Sequence, residues 1–327
     1  MRKFIKIFGA VVGGIAALII IGLVYFNLSF PKAEPVPNIK VELTSARLAR
    51  GEYLVRHVAG CFDCHSERDW TKFSGPVIPG TEGEGGEVFD KVTAGVPGTV
   101  YAKNITPAGI GGWTDGELIR AITTGVSKDG TALFPIMPYQ DFNYMRHEDL
   151  YSIVAYLRTI KPVESKIPER HLDFPMNLLV KTIPFGSYNP GRPIDKSDSV
   201  IYGEYLTTMA SCSGCHTPVD KGEPIKGMDF AGGMDFILPA GIVRSANITP
   251  DDETGIGRWT KDEFVKYFKN FSSDSSRNIP VAPNEYNTVM PMTSFAGMTE
   301  GDLGDIYSYL RTLRPMHNQV VRFTPKH

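Results

Sequence analysis

Cysteine is scarce in this chain, four in 327 residues, and all four fall inside two pentapeptides, CFDCH (61–65) and CSGCH (212–216). No excess of basic charge is present either. Lysine and arginine total 34 against 36 aspartates and glutamates, and a net charge of −2 with no basic arm argues against a nucleic-acid partner. There is no P-loop and no G-x-G-x-x-G after a strand. No long run alternates apolar and polar residues, so nothing predicts an extended sheet. The acidic stretch TEGEGGEVFD (81–90) lacks the alternating Asp/Asn spacing of a calcium loop and reads as a solvated loop. Hydrophobic content of 42% and charge of 21% are ordinary for globular material, and the length corresponds to about two domains.

Each pentapeptide pairs two cysteines at a spacing of two and follows them at once with histidine. A redox dithiol has no need of that histidine. A shared zinc would require halves of the chain separated by most of a domain's length to meet at one ion. Covalent haem attachment uses every residue. Two thiols one helical turn apart each form a thioether with a porphyrin vinyl group, and the next residue's imidazole reaches the iron as proximal ligand. Cys61, Cys64 and His65, and again Cys212, Cys215 and His216, are therefore assigned to two covalently bound c-type haems.

From Ile7 to Phe26 run twenty residues without a charge, long enough at ~1.5 Å per residue to cross the ~30 Å hydrocarbon layer. Arg2, Lys3 and Lys6 precede the run and predict a cytoplasmic N-terminus, with the rest of the chain in the periplasm of a bacterial inner membrane. The run exceeds a signal-peptide core, no A-x-A-like site follows it, and no cysteine follows to carry a lipid. It is read as an uncleaved anchor, 1–26, ahead of a Pro-rich stalk, 27–43.

The chain also repeats itself. GEYLVRHVAGCFDCH (51–65) answers GEYLTTMASCSGCH (203–216) with a one-residue gap. NITPAGIGGWT (104–114) answers NITPDDETGIGRWT (247–260), and LYSIVAYLRTIKPV (150–163) answers LGDIYSYLRTLRPM (303–316). Thr114 with Glu117, and Thr260 with Glu263, have the spacing of capping boxes. Leu150, Ile153, Val154 and Leu157, like Leu303, Ile306, Tyr307 and Leu310, form apolar stripes on final helices closed by Pro162 and Pro315. These features predict an all-α chain with two units, 44–165 and 197–327, joined by a connector, 166–196.

As an ordered set, CxxCH, N-I-T-P, G-I-G-x-W-T, a Met-Pro pair and a terminal Y-L-R-T helix resemble class I cytochrome c. More closely, they resemble the cytochrome c chains that serve periplasmic dehydrogenases such as the alcohol dehydrogenase complexes. The likeness covers residues 44–165 and 197–320. Those alcohol-oxidising subunits carry three haem motifs, whereas this chain has two. The resemblance implies tandem class I cytochrome c domains and electron transfer rather than catalysis.

Alignment of FPIMPYQDFNYM (134–145) with NTVMPMTSFAGM (287–298) pairs Met137 with Met290 and also Met145 with Met298, so position alone does not name the sixth iron ligand. Context favours Met137 and Met290, which precede Pro138 and Pro291 in extended loop, where the family carries its axial methionine. Met145 and Met298 sit just before the final helices, where a hydrophobic staple belongs. His57 reads as a surface or packing residue, Asn104 and Asn247 as turn formers, and Trp113 and Trp259 as packing or propionate contacts. The functional expectation is a membrane-anchored periplasmic carrier. Its donor would be a dehydrogenase or respiratory (quinol-linked) complex, and its acceptor a terminal oxidase or soluble cytochrome. A diheme peroxidase with one open haem site is the alternative.

Overall fold

In a computed structural model of the chain, residues 2–190, 194–220 and 222–326 are described; Met1, residues 191–193 of the connector, Lys221 and His327 lie outside them. The apolar run forms one helix, Arg2–Ser29, with no buried residue. Among the described residues it is the one helix long and apolar enough to cross a membrane. The Pro-rich stretch behind it is no free spacer. Val41 is buried and its N–H donates to Asp115 Oδ2 (2.8 Å), while the Pro37 carbonyl lies where any side chain on Gly116 would stand, 1.9 Å from a Cβ at that position.

Each repeat unit is built on a crossed helix pair. Ser45–Tyr53 lies on His147–Leu157, and Ser199–Met209 lies on Glu300–Leu310. Gly51 and Gly203 set these crossings. A Cβ on either would stand 1.9 Å from the carbonyl of Ser152 or of Asp305, so only glycine lets the backbones approach this closely. The predicted stripes, except half-buried Tyr307, face inward, and each such Leu or Ile contributes roughly 1.5–3 kcal/mol of burial. Both capping boxes form, with Thr114 and Thr260 accepting from the Glu117 and Glu263 N–H groups (3.2 Å each) and their own N–H groups donating back to Glu117 Oε2 and Glu263 Oε2 (2.7 Å each).

The one-residue gap between the repeats has a structural counterpart. In the first unit the helix continues as a π turn, Leu54–Val58, whose Ala59 N–H donates to the Leu54 carbonyl (2.8 Å); the second unit keeps a regular α-helix to Met209. One extra residue per turn is what a π turn accommodates.

The all-α expectation is incorrect. The fold is mixed, because three small antiparallel sheets accompany the helices among the described residues. Val88–Asp90 pairs with Gly98–Tyr101, which pairs with His171–Leu172. Asp235–Leu238 pairs with Gly241–Arg244, which pairs with Phe323–Pro325, and Val219–Asp220 forms a hairpin with Glu223–Pro224. Each strand has only two to four residues, too few for a period-two pattern to emerge. They arise within the loops and take strands from the connector and the C-terminal tail, where backbone groups need partners.

Candidate functional site

Both pentapeptides fold as single helical turns, Cys61–Cys64 and Cys212–His216. Each is preceded by a residue in the left-handed region, Gly60 (φ 57°) in the first unit and Ser211 (φ 49°) in the second. Glycine adopts that conformation freely, whereas a serine there is strained. The Ser211 hydroxyl is held by a hydrogen bond to Asp141 Oδ2 of the first unit.

The two histidines have one arrangement. His65 Nδ1 lies 2.6 Å from the Lys103 carbonyl, and His216 Nδ1 lies 2.8 Å from the Ala246 carbonyl. A carbonyl only accepts, so each Nδ1 carries the proton and each Nε2 keeps its lone pair, the tautomer a metal needs. Burial lowers the pKa of both rings and keeps them neutral. Lys103 and Ala246 each directly precede the N-I-T-P motif. Asn104 Oδ1 accepts from the Thr106 N–H (2.8 Å) while its amide reaches the Val163 carbonyl (2.7 Å). Asn247 does the same with Thr249 (2.9 Å) and the Met316 carbonyl (2.7 Å). The motif is thus a turn, as its sequence indicated, and one that fixes the histidine's partner and pins the loop to the segment that follows the final helix.

Burial, with Cys64 and Asp63 adding to it, pushes the Cys61 thiol up to about 12; burial also raises Cys64 to about 12, and burial followed by Cys215 raises Cys212 to about 12. Thiols raised in this way are not an activated redox pair. No group of three or more metal-ligating side chains occurs among the described residues. Neutral thioether sulfur suits such surroundings.

Met137 and Met290 adopt one turn. The Tyr139 N–H donates to the Met137 carbonyl and the Met292 N–H to the Met290 carbonyl (2.8 Å each), across Pro138 (φ −79°, ψ 48°) and Pro291 (φ −80°, ψ 68°). This is an inverse γ-turn, for which proline presets φ. Both methionines are half-buried against the core, whereas Met145 and Met298 are buried at 1% exposure each. In the second unit a small apolar cavity of about 50 Å³ is lined by His216, Cys212, Met290 and the rings of Phe264, Phe268 and Phe295. Met298 also lines it, so the cavity does not choose between the two methionines. A thiol, an imidazole with a free Nε2, a thioether and aromatic walls around one apolar space fit a porphyrin. Trp113 and Trp259 pack half-buried on the core, and Trp259 meets Tyr267 edge-on (5.4 Å).

The sequence reading missed how the units meet. Tyr53 donates to Asp302 Oδ2 (2.6 Å), and its repeat equivalent Tyr205 donates to Asp149 Oδ2 (2.7 Å). Ser294 donates to Asp63 Oδ1 (2.6 Å), and Asp141, the repeat equivalent of Ser294, receives Ser211. The contacts are thus reciprocal, and each pentapeptide lies beside the methionine turn of the other unit. His57, read as surface or packing, packs here with Nδ1 2.9 Å from the Ser294 carbonyl. One clamp has no counterpart. Ser74 Oγ donates to the Met290 carbonyl (2.6 Å) and accepts from the Met292 N–H (2.8 Å), while Asn287 Oδ1 accepts the Ser74 N–H (2.8 Å). The repeated tyrosine and aspartate were the available signal, since both stand at equivalent positions in the two units.

Residues 200–314 match the cytochrome c family. The chain is 29% identical over 289 residues to the cytochrome c subunit of a quinone-dependent alcohol dehydrogenase of Gluconacetobacter polyoxogenes, covering 83% of this chain and 57% of that one. It is 27% identical over 297 residues to the fructose dehydrogenase cytochrome subunit of Gluconobacter japonicus, covering 86% and 56%. A diheme c-type cytochrome of Cereibacter sphaeroides is 29% identical over 249 residues, covering 72% of this chain and 78% of the relative. The chain therefore spans little more than half the length of the two dehydrogenase subunits. The repeated attachment pentapeptides and their Nδ1-anchored histidines thus accompany a match of residues 200–314 to the cytochrome c family and a likeness of most of the chain to cytochrome c subunits.

Proposed function

We propose that this chain is a membrane-anchored diheme c-type cytochrome that carries electrons in the periplasm. Its donor is a dehydrogenase or quinol-linked complex, and its acceptor is a terminal oxidase or soluble cytochrome. The observation that carries the reading is the duplicated site: in each unit a histidine with Nδ1 bonded to a backbone carbonyl accompanies two protonated thiols and a Met-Pro turn. Residues 44–165 and 197–327 are the two haem-binding units, and Arg2–Ser29 is the uncleaved anchor.

When bound, haem supplies reversible one-electron chemistry at iron. The chain's residues do the rest. Cys61 and Cys64, and Cys212 and Cys215, tether the ring. Nε2 of His65 and of His216, and the sulfur of Met137 and of Met290, would hold the iron. Soft thioether sulfur favours the reduced metal. Phe264, Phe268 and Phe295 keep water from the second site. Apart from His216 and Cys212, both assigned to haem, the lining of that cavity holds no ionisable side chain to serve as the acid or base that a peroxidase site requires. The reciprocal contacts bring the pentapeptides to the inter-unit face, which suits a relay within one chain. The dehydrogenase names of the similar chains support the choice of donor.

The test is carbon monoxide binding to the reduced, membrane-extracted protein, read in the Soret region. Two closed six-coordinate sites bind little of it. Full binding at one haem, together with peroxide turnover above that of free haem, would replace the carrier by the peroxidase.

A further inference from the structure

A small satellite layer stands apart from the main core and carries apolar side chains that nothing among the described residues covers. Its inner side is Val96, Val100, Leu172 and Val180, all buried, with Met176 packed on them. Its outer side is the segment 173–186, where the turn Met176–Leu179 is followed by a 3-10 turn, Val180–Thr182. Val180 faces in, and its neighbours Leu179 and Phe174 face out, 48% and 79% exposed. Lone exposed apolar residues are ordinary. Two within six residues, fixed from beneath by buried Val180 and Leu172, are less so.

The position of this turn decides what covers it. Lys181 donates to Oδ1 of Asn27 (2.5 Å), and the Glu34 N–H donates to the Gly186 carbonyl (2.8 Å). Asn27 directly follows Phe26, the last residue of the uncharged run, so the turn is fastened at the level where the anchor leaves the hydrocarbon. The neighbouring charges suit that level. Lys181 is bonded to the anchor, and Lys32 lies over the Phe30 ring (5.7 Å). Lysines beside exposed aromatic and aliphatic side chains form the pattern of a membrane–water interface, the ammonium among headgroup phosphates and the apolar chain below. Asp173, on the other side of Phe174, turns to His171 (3.5 Å).

From this continuity we infer that the turn 174–182 is a second membrane contact, with Phe174 and Leu179 inserted into the leaflet from which the anchor emerges. Resting on the reading of Arg2–Ser29 as a retained anchor, the contact makes the attachment two-point. The first unit is then held in one orientation against the bilayer instead of swinging on a tether.

Thiol accessibility tests this in the full-length holoprotein, reconstituted alone in phosphatidylcholine nanodiscs. The four native cysteines are blocked as thioethers, so an introduced thiol is the single reactive one. Phe174→Cys, Leu179→Cys and, as control, Ile237→Cys on the second unit (47% exposed) receive a water-soluble maleimide. Thiolate fraction falls about tenfold for each unit by which lipid raises the thiol pKa. Labelling at 174 and 179 about tenfold or more slower than at 237, with equal rates after denaturation, is the expected result. Equal rates in the nanodisc overturn the proposal and leave the patch to a protein partner absent from the disc. Failure of the anchor reading shows separately, as an intact mass lacking the N-terminal residues and no incorporation into discs.

Discussion

Asp149→Asn and Asp302→Asn are the same substitution at equivalent positions of the two units, and the structure assigns them unequal effects. Asp149 accepts two hydrogen bonds from Arg50 (Nε–Oδ1 2.8 Å, Nη2–Oδ2 2.9 Å) and one from Tyr205 (2.7 Å), with only 8% of its side chain exposed. Where Arg50 stands in the first unit the second has Tyr202, so Asp302 meets no guanidinium there and takes the Tyr53 hydroxyl (2.6 Å). Removing the carboxylate charge at 149 leaves a half-buried arginine without its counter-ion, a change that costs about 3–5 kcal/mol. At 302 a charged hydrogen bond becomes a neutral one, at a cost of about 1 kcal/mol. Burial alone would raise Asp149, but the Arg50 hydrogen bonds and charge outweigh it and hold its pKa below the ordinary 3.8. A carboxylate depressed in the folded state adds stability that is present above its unfolded value and is lost as pH falls through the folded value. The gap between wild type and Asp149→Asn is therefore constant from pH 7 to about 4 and closes below that. Guanidinium unfolding of the holoprotein followed in the Soret band measures both quantities. Equal losses at 149 and 302, or a gap that persists unchanged to pH 2, would refute the charge-pair argument.

Other expectations follow from the sites. Cys61→Ser with Cys64→Ser leaves a single covalent haem, read as intact mass after acid–acetone extraction; retention of both ends the thioether assignment. Met137→Ala and Met290→Ala each remove about half of the near-infrared methionine–iron charge-transfer band, one ligand of two. Met145→Ala and Met298→Ala leave the band intact and cost about 2–5 kcal/mol as buried cavities, and a lost band in either would exchange the ligands. Ser74→Ala removes the side-chain bonds to the Met290 carbonyl and the Met292 N–H, leaving only the bond between them, and costs about 1–3 kcal/mol. Its half of the charge-transfer band should disappear at lower denaturant than the Met137 half, and simultaneous loss would show that the clamp does not act on that turn.

Local chemistry was legible in the sequence because its parts lie within a few residues of one another. The cysteine–histidine spacing, the capping boxes at Thr114 and Thr260 and the asparagine turns before Thr106 and Thr249 are all set by one turn of backbone. The repeat even recorded the π turn, as a gap of one residue. What tertiary structure alone decided is which repeated residues serve their own unit and which serve the other. In the shared G-E-Y, glycine lets its own unit's helices cross, while tyrosine reaches an aspartate up to 249 positions away in the other unit. Nothing in a local pattern distinguishes those roles. The short strands were invisible for a related reason, since pairs such as Val88 with Tyr101 exist only once the loops have closed. Backbone groups that must find partners on closure select them by proximity, and proximity is a property of the folded chain.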